Sequence, residues 1–348
     1  MTALAEPDLP RATDGEIAVI NLESARRGAW ARFTREPRLP GAAEAIVYEE
    51  NIAAQFLGDL NALDRLTDLA SQFSRADNSF RAALVQAEVA SMVHHFAEAR
   101  DCLARAASLG APYDEIERHL LSIDQACGVE VDVVLAARRR MATVSGRLED
   151  LVPLGAVLAD LGCFAAADAA YRQALCSYND VSPFPLAWAC FQLGILWGEL
   201  VPEPDPDRSR FWYRRAIVYL PCYVKARVHL AEIFISQEQA ANAEALLLPV
   251  LRSQDPEVQW RLADALTAQK RFDEARARLR AAQVGFEDLL GRHLLAFADH
   301  AAEFYAGSGN NNNRARELAR INVANRPTRR ALEQARAIAL NANKDRPK

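Results

Sequence analysis

Apolar residues recur at helical spacing in two short stripes, most clearly within residues 148–179. Residues three or four positions apart share one face of an α-helix, so each stripe predicts a helix with one buried face. Gly162 lies between the stripes, where its tolerance of positive φ lets the first helix end and the chain reverse. The stripes hold Leu151, Leu154, Gly155 and Leu158, then Phe164, Ala167, Tyr171 and Ala174. The segment therefore predicts a helical hairpin.

The same two-stripe pattern recurs along the chain at a fixed interval. Ala99 and Ala167 hold equivalent positions and are 68 residues apart, which is two periods of about 34 residues. The further copies contain Phe96, Ala99, Leu103 and Ala106; Leu193, Gly194, Trp197, Tyr213, Ala216 and Pro221; Leu230, Ala231, Phe234, Ala243 and Leu247; and Trp260, Leu262, Ala263, Leu266, Phe272, Ala275, Leu279 and Ala282. Five good copies in phase indicate one elongated repeat domain.

This pattern resembles the tetratricopeptide repeat (TPR), a helical hairpin of about 34 residues that cannot bury its apolar face alone. The resemblance covers residues 79–327. It implies an all-α fold, a right-handed α-solenoid of about seven TPR-like hairpins. Residues 41–78 predict a degenerate capping hairpin, with helices over 43–57 and 60–73, because terminal repeats are usually atypical.

The ends of the chain depart from the repeat pattern. Residues 1–40 carry four prolines and one candidate helix, 22–33, so we expect this segment to be partly disordered. Residues 328–348 predict a capping helix followed by a basic tail. In the last repeat we predict a first helix over 289–305 and, after four asparagines, a second helix from Arg314.

One loop is set apart by its proline content. Three prolines within residues 202–207 forbid a continuing helix and predict a stiff, exposed loop.

Composition bears on where the protein is located and on whether it binds a metal or cofactor. The 348 residues contain no run of about 18 apolar residues, and the N-terminus lacks the basic opening and apolar core of a secretory signal. We therefore expect a cytoplasmic protein without a membrane span. The six cysteines form no C-x-x-C pair, so we interpret them as small apolar residues and expect no metal or cofactor.

Known catalytic motifs are missing from the sequence. It contains no Walker A, G-x-S-x-G, H-E-x-x-H or Rossmann glycine pattern, so we expect a protein that is not an enzyme. The neighbours His94 and His95 would point about 100° apart on a helix and cannot ligate one ion from the same face. His293 and His300 are two turns apart, which is too long for a direct pair.

Basic residues concentrate at the C-terminal end. From Ser308 onward ten basic residues outnumber three acidic ones, although the whole chain has a formal charge of −5. One interpretation is docking of an acidic partner on this basic end. The other, which we favour, is a solvated cap, since the arginines alternate with Ala and Leu at helical spacing. Nucleic acid is a disfavoured partner, because no aromatic ladder for base stacking accompanies the arginines.

The TPR resemblance also implies a binding surface. In that family the first helices of successive hairpins line a concave groove, and the matching positions here are candidate contacts for a partner protein or peptide. They are Trp188, Phe191, Gln192, Ile195, Lys225, His229, Glu232, Trp260, Arg261, Asp264, Arg292 and Asp299. Trp188, Trp260 and Arg261 are expected to contribute most, because Trp, Tyr and Arg most often carry interface energy. The alternative for each tryptophan is packing between neighbouring hairpins.

The charges in this predicted groove bear on the kind of partner. Some TPR proteins clamp a peptide carboxylate with lysines and asparagines, whereas Glu232, Asp264 and Asp299 hold the asparagine positions here. Carboxylates repel an acidic peptide end, so the row predicts a partner with basic or amide groups.

The leading hypothesis is a non-enzymatic adaptor or scaffold that binds a partner in the groove. One alternative is an accessory or regulatory subunit of an enzyme or assembly complex, which a stable co-purifying enzyme would favour. Another is a self-assembling structural TPR protein, a homo-oligomer that would form filaments or rings as its concentration rises.

Overall fold

The computed structural model describes residues 10–344, and it describes the side chains of residues 10–340. The described residues form seventeen α-helices and no β-strand. The helices are α1 Gly15–Arg35, α2 Ala42–Leu57, α3 Asn61–Ala76, α4 Phe80–Met92, α5 Phe96–Ser108, α6 Tyr113–Cys127, α7 Val131–Ser145, α8 Leu148–Asp160, α9 Phe164–Ser177, α10 Pro183–Ile195, α11 Pro206–Tyr219, α12 Val224–Ser236, α13 Ala240–Leu247, α14 Pro256–Ala268, α15 Phe272–Ala306, α16 Asn312–Asn325 and α17 Arg329–Lys344. The all-α prediction is confirmed.

Two parts of the sequence-based predictions lie outside the described residues. Residues 1–9 belong to the segment expected to be partly disordered, and residues 345–348 belong to the basic tail.

Glycine and tyrosine set the spacing of two helical hairpins. Gly155 on α8 faces the ring of Tyr171 on α9, and a Cβ atom at position 155 would lie 2.5 Å from that ring. Gly194 on α10 faces the ring of Tyr213 on α11 in the same way. Both rings are buried, so the two hairpins repeat one packing arrangement. Between α8 and α9, Gly162 adopts the expected positive φ, 77°.

The N-terminal segment is more ordered than its sequence predicts. We expected one helix over 22–33 in a partly disordered segment, whereas α1 contains 21 residues and begins at Gly15. Trp30 Nε1 donates a hydrogen bond to Glu50, 2.7 Å away. Arg26 forms ion pairs with Glu50 at 2.7 Å and with Asp59 at 2.8 Å. These contacts join residues far apart in the sequence, so local composition does not reveal them.

The described chain divides into two compact units, and the divisions fall inside α1, inside α12 and between α6 and α7. Unit 1 consists of residues 10–21 and 131–233. Its N-terminal segment is fixed by two hydrogen bonds: Thr13 N donates to Val181 O at 2.7 Å, and Tyr219 Oη donates to Pro10 O at 2.8 Å.

Unit 2 consists of two stretches that are distant in sequence, 22–130 and 234–344, and they contact each other. Gln254 N donates to Gly58 O at 3.0 Å. His293 Nε2 lies 2.8 Å from Asp64 Oδ1, and Arg292 pairs with the same carboxylate.

Nearer the C-terminus, the same two stretches of unit 2 meet again. Asn325 Nδ2 donates to His94 O at 3.0 Å. Phe297 packs against a buried apolar cluster of the first stretch that includes Leu63 and Val93.

Helix α15 replaces two predicted helices. We predicted one helix from the apolar stripe that ends at Ala282 and another over 289–305, and α15 contains both, running without a loop from Phe272 to Ala306. The bend is a single residue, His293, with φ −138° and ψ 55°. The predicted helix therefore begins on the first arm of α15 and continues on the second, beyond the bend. The next helix, α16, begins at Asn312, and Asn311 caps it by accepting a hydrogen bond from Arg314 N at 3.1 Å.

The proline-rich loop is short and follows an unpredicted π-helical segment, Leu196–Leu200. Residues 202–207 are exposed, as their prolines suggest, although α11 already begins at Pro206. Asp205 caps α11 by accepting a hydrogen bond from Arg208 N at 3.0 Å.

Candidate protein-binding surface

The predicted groove residues of unit 1 lie on α10 and α12. Trp188 and Gln192 are one turn apart on α10 and are partly exposed. Phe191 and Ile195 are buried, each with 7% of its surface accessible. On α12, the predicted contacts Lys225, His229 and Glu232 are partly exposed. Of this part of the predicted groove, α10 thus presents one aromatic and one amide side chain, and α12 presents the charged groups.

Two carboxylates converge on the imidazole of His229. Glu199 Oε1 lies 2.7 Å from His229 Nδ1, and Glu232 Oε2 lies 3.7 Å from the same atom. Tyr213 Oη donates a further hydrogen bond to Glu199 at 3.2 Å. Burial and the charges of Glu199 and Glu232 raise the pKa of Tyr213 well above its ordinary value, so its hydroxyl remains a donor.

Aromatic rings pack against the imidazole of His229. The ring of Phe191 lies 5.6 Å from Tyr213, 5.2 Å from Tyr223 and 5.3 Å from His229 between centroids. Such tilted and edge contacts fix the imidazole orientation. Glu199 was not predicted, because it belongs to the π-helical segment, where the i→i+5 turn shifts side chains away from α-helical register. Its proximity to the groove positions comes from folding rather than from spacing.

In unit 2, Trp260 on α14 is a core residue. Only 4% of its surface is accessible, and its ring centroid lies 6.3 Å from that of Phe286 and 5.4 Å from that of Phe304. Its Nε1 donates to Ser308 Oγ at 2.9 Å. Trp260 thus packs inside unit 2, which is the alternative that we gave to a contact with a partner. Its indole N–H is bonded to another residue of the same chain.

Arg261 and Asp264 are held in the same cluster. The Arg261 guanidinium lies 3.6 Å from the centre of the Trp260 ring and 3.5 Å from Asp264. Ser308 Oγ donates to Asp264 Oδ1 at 2.6 Å. Burial raises the pKa of Asp264 above its ordinary value, although the bond from Ser308 and the charge of Arg261 oppose that rise. One serine of the chain therefore bonds both the tryptophan and the carboxylate.

Arg292 and Asp299, on the two arms of α15, also contact residues of unit 2. Arg292 pairs with Asp64 and with Asp288, the latter at 2.6 Å. Asp299 pairs with Arg326 at 2.5 Å. Burial alone would raise the pKa of Asp299, but the charges of His300 and Arg326 outweigh it and lower that pKa. Of the predicted acidic row, Asp264 and Asp299 are thus engaged inside unit 2.

Two further histidines, His94 and His300, also contact residues of unit 2. The ring of His94 stacks on Phe96 at 5.3 Å, and its Nδ1 lies 3.1 Å from Leu295 O. Burial lowers the pKa of His94 to about 4, so the imidazole is neutral at physiological pH. His300 Nδ1 lies 2.6 Å from Glu257.

The described residues offer neither a metal site nor a membrane span. They contain no group of three or more His, Cys, Asp or Glu side chains arranged to hold a metal ion. None of their helices combines the length and the apolar character that crossing a bilayer requires.

Comparison with known proteins gives structural relatives only. No protein-family model matches the sequence, and no curated protein matches it. A chain in the crystal structure of the APC/C hetero-tetramer Cut9–Hcn1 aligns with a TM-score of 0.52 and 14% identity, covering 80% of this chain and 54% of that one. The chain described here thus spans about half the length of the Cut9–Hcn1 chain that it matches. Yeast Tom70 aligns with a TM-score of 0.30 and 13% identity, covering 93% and 89% of the two chains.

A protein from Cytophaga hutchinsonii described as TPR repeat-containing also aligns, through its C-terminal part. The TM-score is 0.35 at 12% identity, and the alignment covers 84% of this chain and 97% of that one. At such identities the likeness concerns the fold alone. Together with the repeated Gly–Tyr packing of α8–α9 and α10–α11, the likeness to the Cut9–Hcn1 chain identifies the fold of this chain as an α-solenoid of tetratricopeptide-like helical hairpins.

Proposed function

We propose that the chain is a non-enzymatic interaction scaffold that binds a peptide segment of a partner protein on the α10–α12 surface of unit 1. This surface is defined by Trp188, Gln192, Lys225, His229 and Glu232. The observation that carries the proposal is the carboxylate pair Glu199 and Glu232 around His229, next to a partly exposed tryptophan.

The chemistry of this surface favours a partner with a basic or amide side chain. Two carboxylates within 4 Å of one imidazole concentrate negative charge there. Trp188 adds an aromatic face, and a Lys or Arg side chain binds such a face by cation–π attraction. Rigid aromatic side chains are also among the commonest interface anchors.

Affinity capture from the native host tests the proposal when a photo-crosslinking residue replaces Gln192. The intact protein is compared with a Trp188→Ala, Glu232→Gln variant. The matched control is Tyr113→Ala, which removes an aromatic side chain that is 77% exposed elsewhere. We expect one crosslinked protein with the intact and control forms, and at least about a tenfold loss with the variant, since removing an anchor costs about 2 kcal/mol or more.

The outcomes separate the alternatives, provided that circular dichroism shows the variant to be folded. Equal crosslinking by all three forms would mean that the α10–α12 surface does not bind the partner. A stoichiometric enzyme among the captured proteins would favour an accessory subunit. Assembly of the purified protein into filaments or rings with rising concentration would favour the structural alternative.

A further inference from the structure

The last two helices of unit 2 carry most of the excess positive charge that the sequence indicates. Residues 312–340, which comprise the described side chains of these helices and the segment between them, include seven arginines and two glutamates, within a chain whose formal charge is −5. The arginines are Arg314, Arg316, Arg320, Arg326, Arg329, Arg330 and Arg336. This end of unit 2 therefore attracts anionic groups although the chain as a whole repels them.

Part of this charge is neutralised within unit 2. Arg314 pairs with Glu317 at 2.9 Å, Arg326 with Asp299 and Arg329 with Glu333 at 2.7 Å. These pairs account for both glutamates of α16 and α17.

Three other arginines keep their charge. Arg316 donates a hydrogen bond to the amide oxygen of Asn313, which is uncharged. In the described part of the chain, Arg320 and Arg336 form no ion pair, and both are exposed. The free charge is thus placed on one side of α16 and on the neighbouring surface of α17.

A groove of about 570 Å³ lies between α16 and α17 beside these arginines. Ala319, Ala335 and Ala339 form its apolar floor. Its polar lining consists of Arg316, Arg320, Asn313 and Glu317, and the last of these is already paired with Arg314. Leu332, 37% exposed, precedes Ala335 by one turn on the same face of α17. Arg316 and Arg320, four residues apart on α16, form one rim. Small side chains let a third helix approach to the short end of the usual distance of about 8 to 10 Å.

We propose that this groove binds an acidic amphipathic α-helix of a partner protein. The apolar face of that helix would lie on the three alanines and Leu332, and its carboxylates would meet Arg316, Arg320 and Arg336. Two arginines four residues apart match two carboxylates at the same interval on the partner helix.

The charge and the lining residues of the groove favour an acidic helix over a second copy of the chain and over nucleic acid. A second copy of the chain related by a two-fold axis would bring the same positive surface against itself, which is repulsive. No aromatic side chain lines the groove, so single-stranded nucleic acid lacks its usual stacking platform. An acidic helix satisfies both the apolar floor and the cationic rim. The inference rests on the proposed scaffold role, but it uses none of the residues of the α10–α12 surface.

Synthetic peptides of about 18 residues, long enough to form a helix, test the groove directly. Each has Leu and Ala on one face, and the other face carries Glu, Gln or Lys. Binding to the full-length protein is followed by fluorescence anisotropy at low and high salt. We expect the Glu peptide to bind, and to bind more weakly as salt rises. The Gln peptide should bind at least about tenfold more weakly, because rim ion pairs contribute little singly but add in a set.

Two variants address the two halves of the groove. Arg316→Glu with Arg320→Glu should weaken the Glu peptide at least about tenfold, because attraction becomes repulsion. Ala339→Trp, at an exposed position, should block the apolar floor without changing charge. Arg139→Glu with Arg252→Glu changes charge equally at exposed positions that do not line the groove, and should bind as the parent does.

Several results would overturn the proposal. Equal binding of the Glu and Lys peptides would show that the groove does not select acidic helices. Full binding of the Glu peptide by both groove variants would show that the peptide binds elsewhere. A dimer that disappears in the double Arg→Glu variant would assign the surface to a second copy. An oligouridylate that outcompetes the Glu peptide would assign it to nucleic acid. Unchanged Glu-peptide binding by the Trp188→Ala, Glu232→Gln variant would separate this site from the proposed α10–α12 surface, whereas lost binding would contradict a separate groove.

Discussion

Glu88 on α4 carries a carboxyl group that is largely removed from water without a hydrogen-bond or ion-pair partner in the described part of the chain. Burial, together with the nearby charge of Glu44, raises its pKa from an ordinary 4.5 to about 7. A buried carboxylate without a partner is costly, so the folded protein holds the proton more tightly than the unfolded chain does.

This residue makes unfolding depend on pH in a defined direction. Because the folded-state pKa is the higher one, the free energy of unfolding falls as pH rises from about 4.5 to about 7 and then levels. Glu88→Gln keeps the shape of the side chain and removes the titration, so above pH 7 the variant should be more stable by roughly 2 to 3 kcal/mol.

Urea unfolding at pH 5 and pH 8 measures this difference. Glu115→Gln, which changes an exposed carboxyl group on α6, serves as the control and should leave the pH profile as it is. Parallel profiles for the parent and Glu88→Gln would contradict the prediction.

At the scale of the element, the distance between paired helices in unit 1 depends on two glycines. Gly155→Ala and Gly194→Ala would place a methyl group 2.5 Å and 2.3 Å, respectively, from the ring of a buried tyrosine, which is well within van der Waals contact distance. We expect each change to lower the free energy of unfolding by about 1 to 3 kcal/mol, the usual cost of overpacking.

Gly28→Ala provides the matched control for this prediction. Gly28 lies within α1, where an added Cβ would meet nothing within 4 Å, so alanine should be neutral or stabilising by up to about 1 kcal/mol. Thermal unfolding of the three variants checks the contrast. Equal effects at all three positions would mean that helix propensity rather than ring contact decides.

The elements differ in how far the sequence predicts them. Helices α8 and α9 follow directly from the apolar stripes and from Gly162, because their signals lie within one repeat. The start of α1 was missed, since the residues just before it are fixed by partners elsewhere in the chain, Val181 and Tyr219. The bend at His293 was missed for the same reason, as Asp64 holds that residue from a remote repeat.

The candidate site also contains residues that the sequence predicts and residues that it does not. The register of the repeat gives the positions of Trp188, Gln192 and Glu232 on helices α10 and α12. It does not give Glu199, which the π-helical segment carries, or the bond between Ser308 and Asp264. Whether a groove residue is available depends on partners that local spacing does not encode.

At the scale of the whole molecule, unit 2 joins two stretches with about a hundred residues between them, 131–233. Asp64 contacts both Arg292 and His293, and Asn325 reaches the backbone of His94. Simple repeat proteins depend on neighbouring repeats only. Here the first hairpins also depend on the last.

Hydrogen exchange tests this dependence through an Asp64→Ala, Asn325→Ala variant. We expect amides of α3 and α4 to exchange at least about tenfold faster, since the lost contacts are partly shielded from water and each hydrogen bond or ion pair contributes on the order of 1 kcal/mol. Asp288→Ala is the control, because it removes only an exposed partner of Arg292. Faster exchange confined to α15 and α16 would show that the first hairpins are stable by themselves.

The two-stretch construction of unit 2 also constrains how the chain folds during synthesis. Asp64 leaves the ribosome more than two hundred residues before its partner His293, so this contact closes a very long loop. Folding rates fall as such sequence-distant contacts increase. We therefore expect the first stretch to wait, incompletely folded and exposed to chaperones, until the final repeats have been translated. Unit 1, whose residues 131–233 are contiguous, can form most of its hairpins in the meantime.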